Sequence, residues 1–166
     1  PYTTLFRSTG KTTLAKVIAN TTSAEFMQIN ATSSGKKDME EVVAAAKNNQ
    51  GMYGKKTILF IDEIHRFNKG QQDYLLPFVE DGTIILIGAT TENPYFEVNG
   101  ALLSRSVIFE LKKLSKEDIK TLLLRAVNDK EKGMGAYNAS IDEDALEFLA
   151  DVSNGDGGAA LTAIEL

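Results

Sequence analysis

Ile58-Leu59-Phe60-Ile61-Asp62-Glu63 places two acids at the end of four consecutive apolar residues. A run that is apolar at every position has no solvent face, so it predicts a strand covered on both sides, as in a parallel sheet between helical layers. In such sheets the C-terminal ends of the strands open on the ligand crevice, which puts Asp62 and Glu63 where ligands bind. The same alternation continues outward from this stretch. Strands are predicted at Glu25–Ile29, Thr57–Ile61, Thr83–Ile87 and Val107–Leu111, with amphipathic helices at Lys11–Asn20, Asp38–Asn48 and Lys69–Val79. Short β-branched strands alternating with helices specify an α/β fold on a parallel sheet.

After Leu111 the pattern changes to helix after helix. Ser115 is positioned to cap a helix over Lys116–Val127, with Glu117 and Asp118 favouring the positive end of its dipole. Asp142 is positioned to cap Glu143–Val152, and a further helix begins near Gly157. A helical second domain therefore starts near residue 115, and the pattern reads as truncated within it. At the other end, Pro1 to Ser8 (PYTTLFRS) carries neither a start methionine nor an apolar strand and reads as a non-native segment.

Composition narrows the chemistry. The 166 residues are 43% hydrophobic and 25% charged, enough to bury a core, and the longest apolar runs are far short of a bilayer span. With no Cys and a single His, a thiolate nucleophile, Cys-ligated zinc and a His-cluster metal site are all excluded. Lack of Cys fits a reducing cytosolic setting. The net charge of −5 argues against nucleic-acid binding by bulk positive charge, although residues 1–60 carry eight basic residues against four acids and 61–166 carry ten against nineteen.

Thr9-Gly10-Lys11-Thr12-Thr13 opens a predicted helix and matches the second half of a phosphate-binding P-loop. Helix amides and dipole attract phosphate, Lys11 can reach the β and γ phosphates, and the Thr12 hydroxyl can ligate Mg²⁺. The first half fails, because Leu5 stands where the pattern demands Gly. Asp62 is a candidate to hold Mg²⁺ and Glu63 to polarise water. Thr90-Thr91, ending the next strand, would sit beside them. Arg105, after a short helix, is a surface charge unless a neighbouring subunit's nucleotide lies opposite it. His65 reads as local polar packing, having no Ser or Cys partner in triad context.

Together these residues resemble the AAA+ ATPase core and its helical lid over residues 9 to 166. Asp62-Glu63-Ile64-His65-Arg66-Phe67-Asn68-Lys69-Gly70-Gln71-Gln72-Asp73, Val79-Glu80-Asp81-Gly82-Thr83 and Gly88-Ala89-Thr90-Thr91-Glu92-Asn93-Pro94 are similar to one branch, the replication-associated recombination and Werner-helicase-interacting proteins. The Holliday-junction motor shares the Asp-Glu-Ile-His and Gly-Ala-Thr-Thr stretches but not the Glu-Asn-Pro continuation, and clamp-loader subunits share the Ser-Arg pair at Arg105 but little of Phe67 to Asp73. The resemblance implies a three-layer αβα P-loop sheet of order 5-1-4-3-2 with its first strand damaged here, divided as a non-native 1–8, a nucleotide-binding core 9–112 and a partial lid 113–166.

It also implies ATP and Mg²⁺ as cofactors, with Thr9, Gly10, Lys11, Thr12 and Thr13 on the nucleotide, Thr12 and Asp62 on the metal, and Glu63 on the water. Thr91 falls at the first sensor and Arg105 at a finger acting in trans. Asn30 falls where many relatives keep a polar residue that hydrogen-bonds the catalytic Glu. Implied partners are DNA junctions, ends or gaps, single-strand DNA-binding protein and further copies of the chain, with no membrane, in the cytoplasm at the nucleoid. Two departures stand out: Leu5-Phe6-Arg7-Ser8 replaces Gly-Pro-Pro-Gly, and Gly155-Asp156-Gly157-Gly158 lacks the second-sensor arginine at Gly158. The expectation is an ATPase acting on DNA at stalled forks, impaired in nucleotide binding as this chain is written. The alternative is a non-catalytic clamp-loader-like or junction-motor-like subunit serving as an interaction module.

Overall fold

The computed structural model describes residues 3–7, 10–111, 114–129, 133–137 and 140–152. Along the chain run β1 (Thr3–Arg7), α1 (Lys11–Thr22), β2 (Glu25–Asn30), α2 (Lys36–Tyr53), β3 (Thr57–Asp62), a 3-10 turn (Ile64–Arg66) and α3 (Lys69–Glu80). There follow β4 (Ile84–Ala89), the single-turn helices α4 (Pro94–Glu97) and α5 (Gly100–Leu103), β5 (Ser106–Glu110), α6 (Lys116–Asn128), a second 3-10 turn (Met134–Tyr137) and α7 (Glu143–Val152). The residues divide into two compact units, Pro1–Leu111 and Lys112–Leu166.

In the first unit the five strands form one sheet of order β2-β3-β4-β1-β5, every neighbouring pair parallel. This is the 5-1-4-3-2 order. The strand expected to be damaged is present: Thr4, Leu5 and Phe6 pair with Ile87, Gly88 and Ala89 on one side, and Thr3–Arg7 pairs with Ser106–Glu110 on the other. The ladder runs through backbone N–H and C=O groups, so a gap between β4 and β5 accepts a strand whose sequence carries no long apolar run.

β3 is the hub because alternate side chains feed opposite layers. Leu59 and Ile61 join Met39, Val42, Val43 and Ala46 of α2 and Leu75 and Val79 of α3 in one core. Ile58 and Phe60 join Ala15 and Ala19 of α1 and Ile87 and Ala89 of β4 in the other. All four β3 residues are at most 1% exposed, as the uninterrupted apolar run requires.

Boundaries moved where side chains hold the ends. The Thr83 N–H is taken by Asp81 Oδ1 at 2.8 Å, so that residue belongs to the turn and β4 begins at Ile84. The α2 helix starts two residues before Asp38, whose carboxylate accepts from the Gly35 N–H at 2.8 Å, and it runs on to a left-handed stop at Gly54 (φ 61°).

In the second unit Ser115 caps α6, accepting from the Asp118 N–H at 3.1 Å, and Asp142 accepts from the Ala145 N–H at 2.8 Å ahead of α7. Ile119, Leu123, Leu146 and Ala150 pack between the two helices. Lys116 pairs with Glu147 (2.7 Å) and Asp151 (3.0 Å) across them. The helix expected near Gly157, and Gly158 itself, lie outside the described residues.

Candidate active site

Parallel pairing sets the C-terminal ends of β1, β2, β3 and β4 along one edge. The register places Asn30 opposite Asp62, Ile61 opposite Gly88, and Phe6 opposite Ala89. The segments that leave this edge carry Gly10-Lys11-Thr12, Asp62-Glu63 and Thr90-Thr91. Sequence-predicted residues from three distant segments therefore converge.

Gly10, at the start of α1, has φ 86°, and a Cβ added there would meet nothing within 4 Å among the described residues. This is the backbone conformation Gly adopts at little cost. It leads directly into Lys11 and Thr12, both half-buried, while Thr13 is exposed. Burial lowers the Lys11 ammonium below the usual lysine range, and Asp62 and Glu63 act in the opposite direction by favouring its charge. β1 continues to Arg7, so Leu5 and Phe6, expected in a loop, are strand residues, and only residues 8 and 9 separate the strand from Gly10. Ser8 and Thr9 lie outside the described residues.

Glu63 is held in the left-handed region (φ 51°, ψ 45°), a conformation that costs a residue with a Cβ roughly 1–2 kcal/mol. Such strain persists where surrounding structure fixes it, and it gathers at functional sites. Its own N–H donates to Asp62 Oδ1 at 3.0 Å, and the Thr32 hydroxyl donates to its Oε2 at 2.6 Å. That hydroxyl is the main reason the Glu63 carboxyl titrates below the ordinary carboxylate range, with His65, Arg66 and Lys11 adding smaller electrostatic contributions.

The residue on Glu63 is thus Thr32, where sequence reading put Asn30. Asn30 Oδ1 instead accepts from the Thr32 N–H at 2.8 Å, closing a turn that aims the Thr32 hydroxyl across to β3. An Asn followed two residues later by a hydroxyl is the signature of such a turn, and it was the available clue.

Thr90 is buried; its hydroxyl lies 2.9 Å from His65 Nδ1 and accepts from the Glu92 N–H at 3.0 Å. His65 is therefore local polar packing. Thr91, one position on, is exposed.

Arg105 is not brought to this edge. It immediately precedes Ser106, the first residue of β5, which pairs with Thr3 at the start of β1. The length of a five-residue strand, about 17 Å at roughly 3.3 Å per residue, separates the two ends of the sheet there. Its guanidinium instead meets Glu80 at 2.9 Å and donates to the Ala101 carbonyl at 3.0 Å.

Among the described residues no helix is long and apolar enough to cross a membrane, and no three His, Cys, Asp or Glu side chains gather to hold a metal unaided.

Residues 7–114 match the model of the AAA family, the ATPase family associated with various cellular activities. The chain is 50% identical over 158 residues to replication-associated recombination protein A of Haemophilus influenzae, covering 95% of this chain and 35% of that protein. It is 49% identical over 157 residues to ATPase WRNIP1 of Dictyostelium discoideum, covering 95% of this chain and 18% of that one. The chain thus spans about a third or less of these relatives' lengths. Among solved structures, the Thermotoga maritima RuvB Holliday junction branch migration motor superposes with TM-score 0.77 at 26% identity, over 99% of this chain and 53% of that one.

Proposed function

The chain belongs to the AAA family of ATPases, and on that footing we propose that it is the ATP-hydrolysing core of a protein that acts on DNA in replication-associated recombination. The observation that carries this reading is Glu63, held left-handed at the end of β3 with its carboxylate bound by the Thr32 hydroxyl, beside Asp62 and the Lys11 ammonium. Backbone strain of this kind gathers at functional sites, and a retired nucleotide site has little need for both acids.

The residues present fit a magnesium nucleotide. The open left-handed Gly10 leaves room for an anion at the start of α1, and Lys11, partly stripped of water, presents a positive charge there. Thr9, Gly10, Lys11, Thr12 and Thr13 would bind the phosphates, and Thr12 and Asp62 would ligate Mg²⁺ together with phosphate and water oxygens. Bound Mg²⁺ would neutralise charge developing on the phosphate oxygens. Glu63 takes the proton of the attacking water, Thr32 orients its carboxylate, and Thr91 faces the γ phosphate as the first sensor. Arg105, at the far end of its own sheet, serves a neighbouring copy's site. A finger used in this way requires homo-oligomeric assembly. The proposal further takes DNA junctions, ends or gaps as substrate, single-strand DNA-binding protein as partner and a cytoplasmic, nucleoid-associated location, all of them on the resemblance of the sequence motifs alone.

A second reading is favoured by one feature. With only two residues between β1 and Gly10, the phosphate loop is short, which supports a non-catalytic interaction module for the chain as it stands, although β1 itself is part of the core sheet and not a segment ahead of it.

Asp62→Asn in the full-length protein separates the readings. Under the catalytic reading the mutation shifts the Mg²⁺ titration of ATP hydrolysis to higher concentration and lowers the maximal rate. An unchanged magnesium titration would remove Asp62 from the metal, and absence of nucleotide-dependent phosphate release in the parent would favour the module.

A further inference from the structure

Gln72 is a polar side chain inside the first unit, 1% exposed on the inward face of α3. A buried amide survives only when its donors and acceptor are satisfied, and here each is spent on backbone. Nε2 donates to the Phe67 carbonyl at 3.0 Å and to the Glu97 carbonyl at 3.3 Å, while Oε1 accepts from the Asn99 N–H at 2.6 Å. The next residue, Asp73, accepts from the Asn99 side-chain amide.

These bonds join two functional segments. Phe67 ends the 3-10 turn that starts at Glu63, closed by the Arg66 N–H on the Glu63 carbonyl at 2.8 Å and the Phe67 N–H on the Ile64 carbonyl at 3.1 Å. Asn99 caps α5, its Oδ1 accepting from the Ala101 N–H at 3.0 Å, and α5 leads to Arg105. Eight residues further along α3, Glu80 holds the Arg105 guanidinium. One helix therefore grips the finger segment at both ends, and through Gln72 it also grips the segment that carries the acids.

We propose that Gln72 is a positioning residue: it ties the turn behind Asp62 and Glu63 to the Asn99 cap, so that the placement of Arg105 is set by the metal end of the chain's own site. The inference rests on the reading of Arg105 as a finger for a neighbouring site. An apolar side chain of similar size would fill the same space and sever all three ties.

The test has a structural and a functional arm. In the chain as it stands, Gln72→Leu raises hydrogen exchange at Asn99 to Arg105 while Ile58 to Asp62 stay protected; unchanged exchange at 99–105 overturns the proposal. The functional arm uses full-length protein carrying Gly-Pro-Pro-Gly at residues 5–8. Subunits that lack Lys11 but keep Arg105 are mixed with Arg105→Ala subunits that keep an intact site. Gln72→Leu in the finger-donating subunits lowers kcat by up to about 10²-fold, the scale of a misplaced catalytic group, at unchanged KM for ATP. The same substitution in the site-bearing subunits costs less. A loss confined to the site-bearing subunits, or a loss seen only in KM, overturns the proposal. If the unsubstituted mixture co-assembles without hydrolysing, it is the finger reading that falls, and the exchange arm still decides the role of Gln72. Should Gln72→Leu fail to fold, Gln72→Met, an unbranched side chain of similar length that fills the same space without donating to Phe67 and Glu97 or accepting from Asn99, gives the same pattern.

Discussion

At the residue scale the account turns on Glu63. Its charge is favoured mainly by one neutral donor, the Thr32 hydroxyl, so Thr32→Val should return its carboxyl toward the ordinary carboxylate value. Carbon-detected NMR titration of Glu63 should then show a higher midpoint. The acidic limb of the kcat–pH profile should move upward with it, since the base must be ionised to work. The stability sign follows from linkage: a depressed folded-state pKa contributes stability above the unfolded pKa, and that contribution is lost as pH falls through the folded value. An unmoved midpoint would mean that Thr32 does not control the carboxylate. The Asn30–Thr32 turn had a signature in the sequence, but the contact of Thr32 with Glu63 did not, because a hydroxyl two residues past a strand looks like any turn residue until the partner strand is in place. The place of the acids was legible, since a fully apolar run predicts a buried strand that delivers the two carboxylates to the end of the sheet.

At the scale of elements, β3 and its helices could be read because burial on both faces writes itself into composition. Phe60→Ala removes the largest fully buried side chain from the layer against α1 and should cost about 3–5 kcal/mol in chemical denaturation. β1 could not be read: Thr3-Thr4-Leu5-Phe6-Arg7 has no long apolar run, and its place comes from the backbone ladders waiting on β4 and β5. Gln72 escaped for the converse reason, as a polar residue within a helix passes for solvent-facing surface. The caps were plain. Ser115→Ala should destabilise the second unit by about 1 kcal/mol, because the Asp118 N–H loses its acceptor at the start of α6. A shift below about 0.3 kcal/mol would show that water replaces the hydroxyl without loss. The ion pairs linking α6 to α7 are exposed and should matter less, fading as salt rises.

At the scale of the whole molecule, the sheet order brings Lys11, Asp62, Glu63 and Thr91 to one end of the strands and leaves Arg105 at the other, an arrangement that spacing in sequence did not reveal. The shortened approach to Gly10 predicts weak nucleotide binding by the chain as written. A strand that runs on to Arg7 leaves two residues before Gly10 where the related loop has more, and a hundredfold loss of affinity corresponds to about 2.7 kcal/mol. Calorimetry should find Mg-ATP binding strengthened when residues 1–8 are replaced by an apolar strand ending in Gly-Pro-Pro-Gly. Micromolar binding by the unaltered chain would show instead that the short loop suffices.

The central claim, that Glu63 is the base of an ATP-hydrolysing site, is tested most directly by Glu63→Gln in the full-length protein with that loop in place. Binding of Mg-ATP and phosphate release are measured on the same preparation. The account predicts that affinity is retained, because the amide keeps the shape and can still meet Thr32, while turnover falls by about 10²-fold or more with the loss of the proton acceptor. Equal hydrolysis by mutant and parent would contradict it.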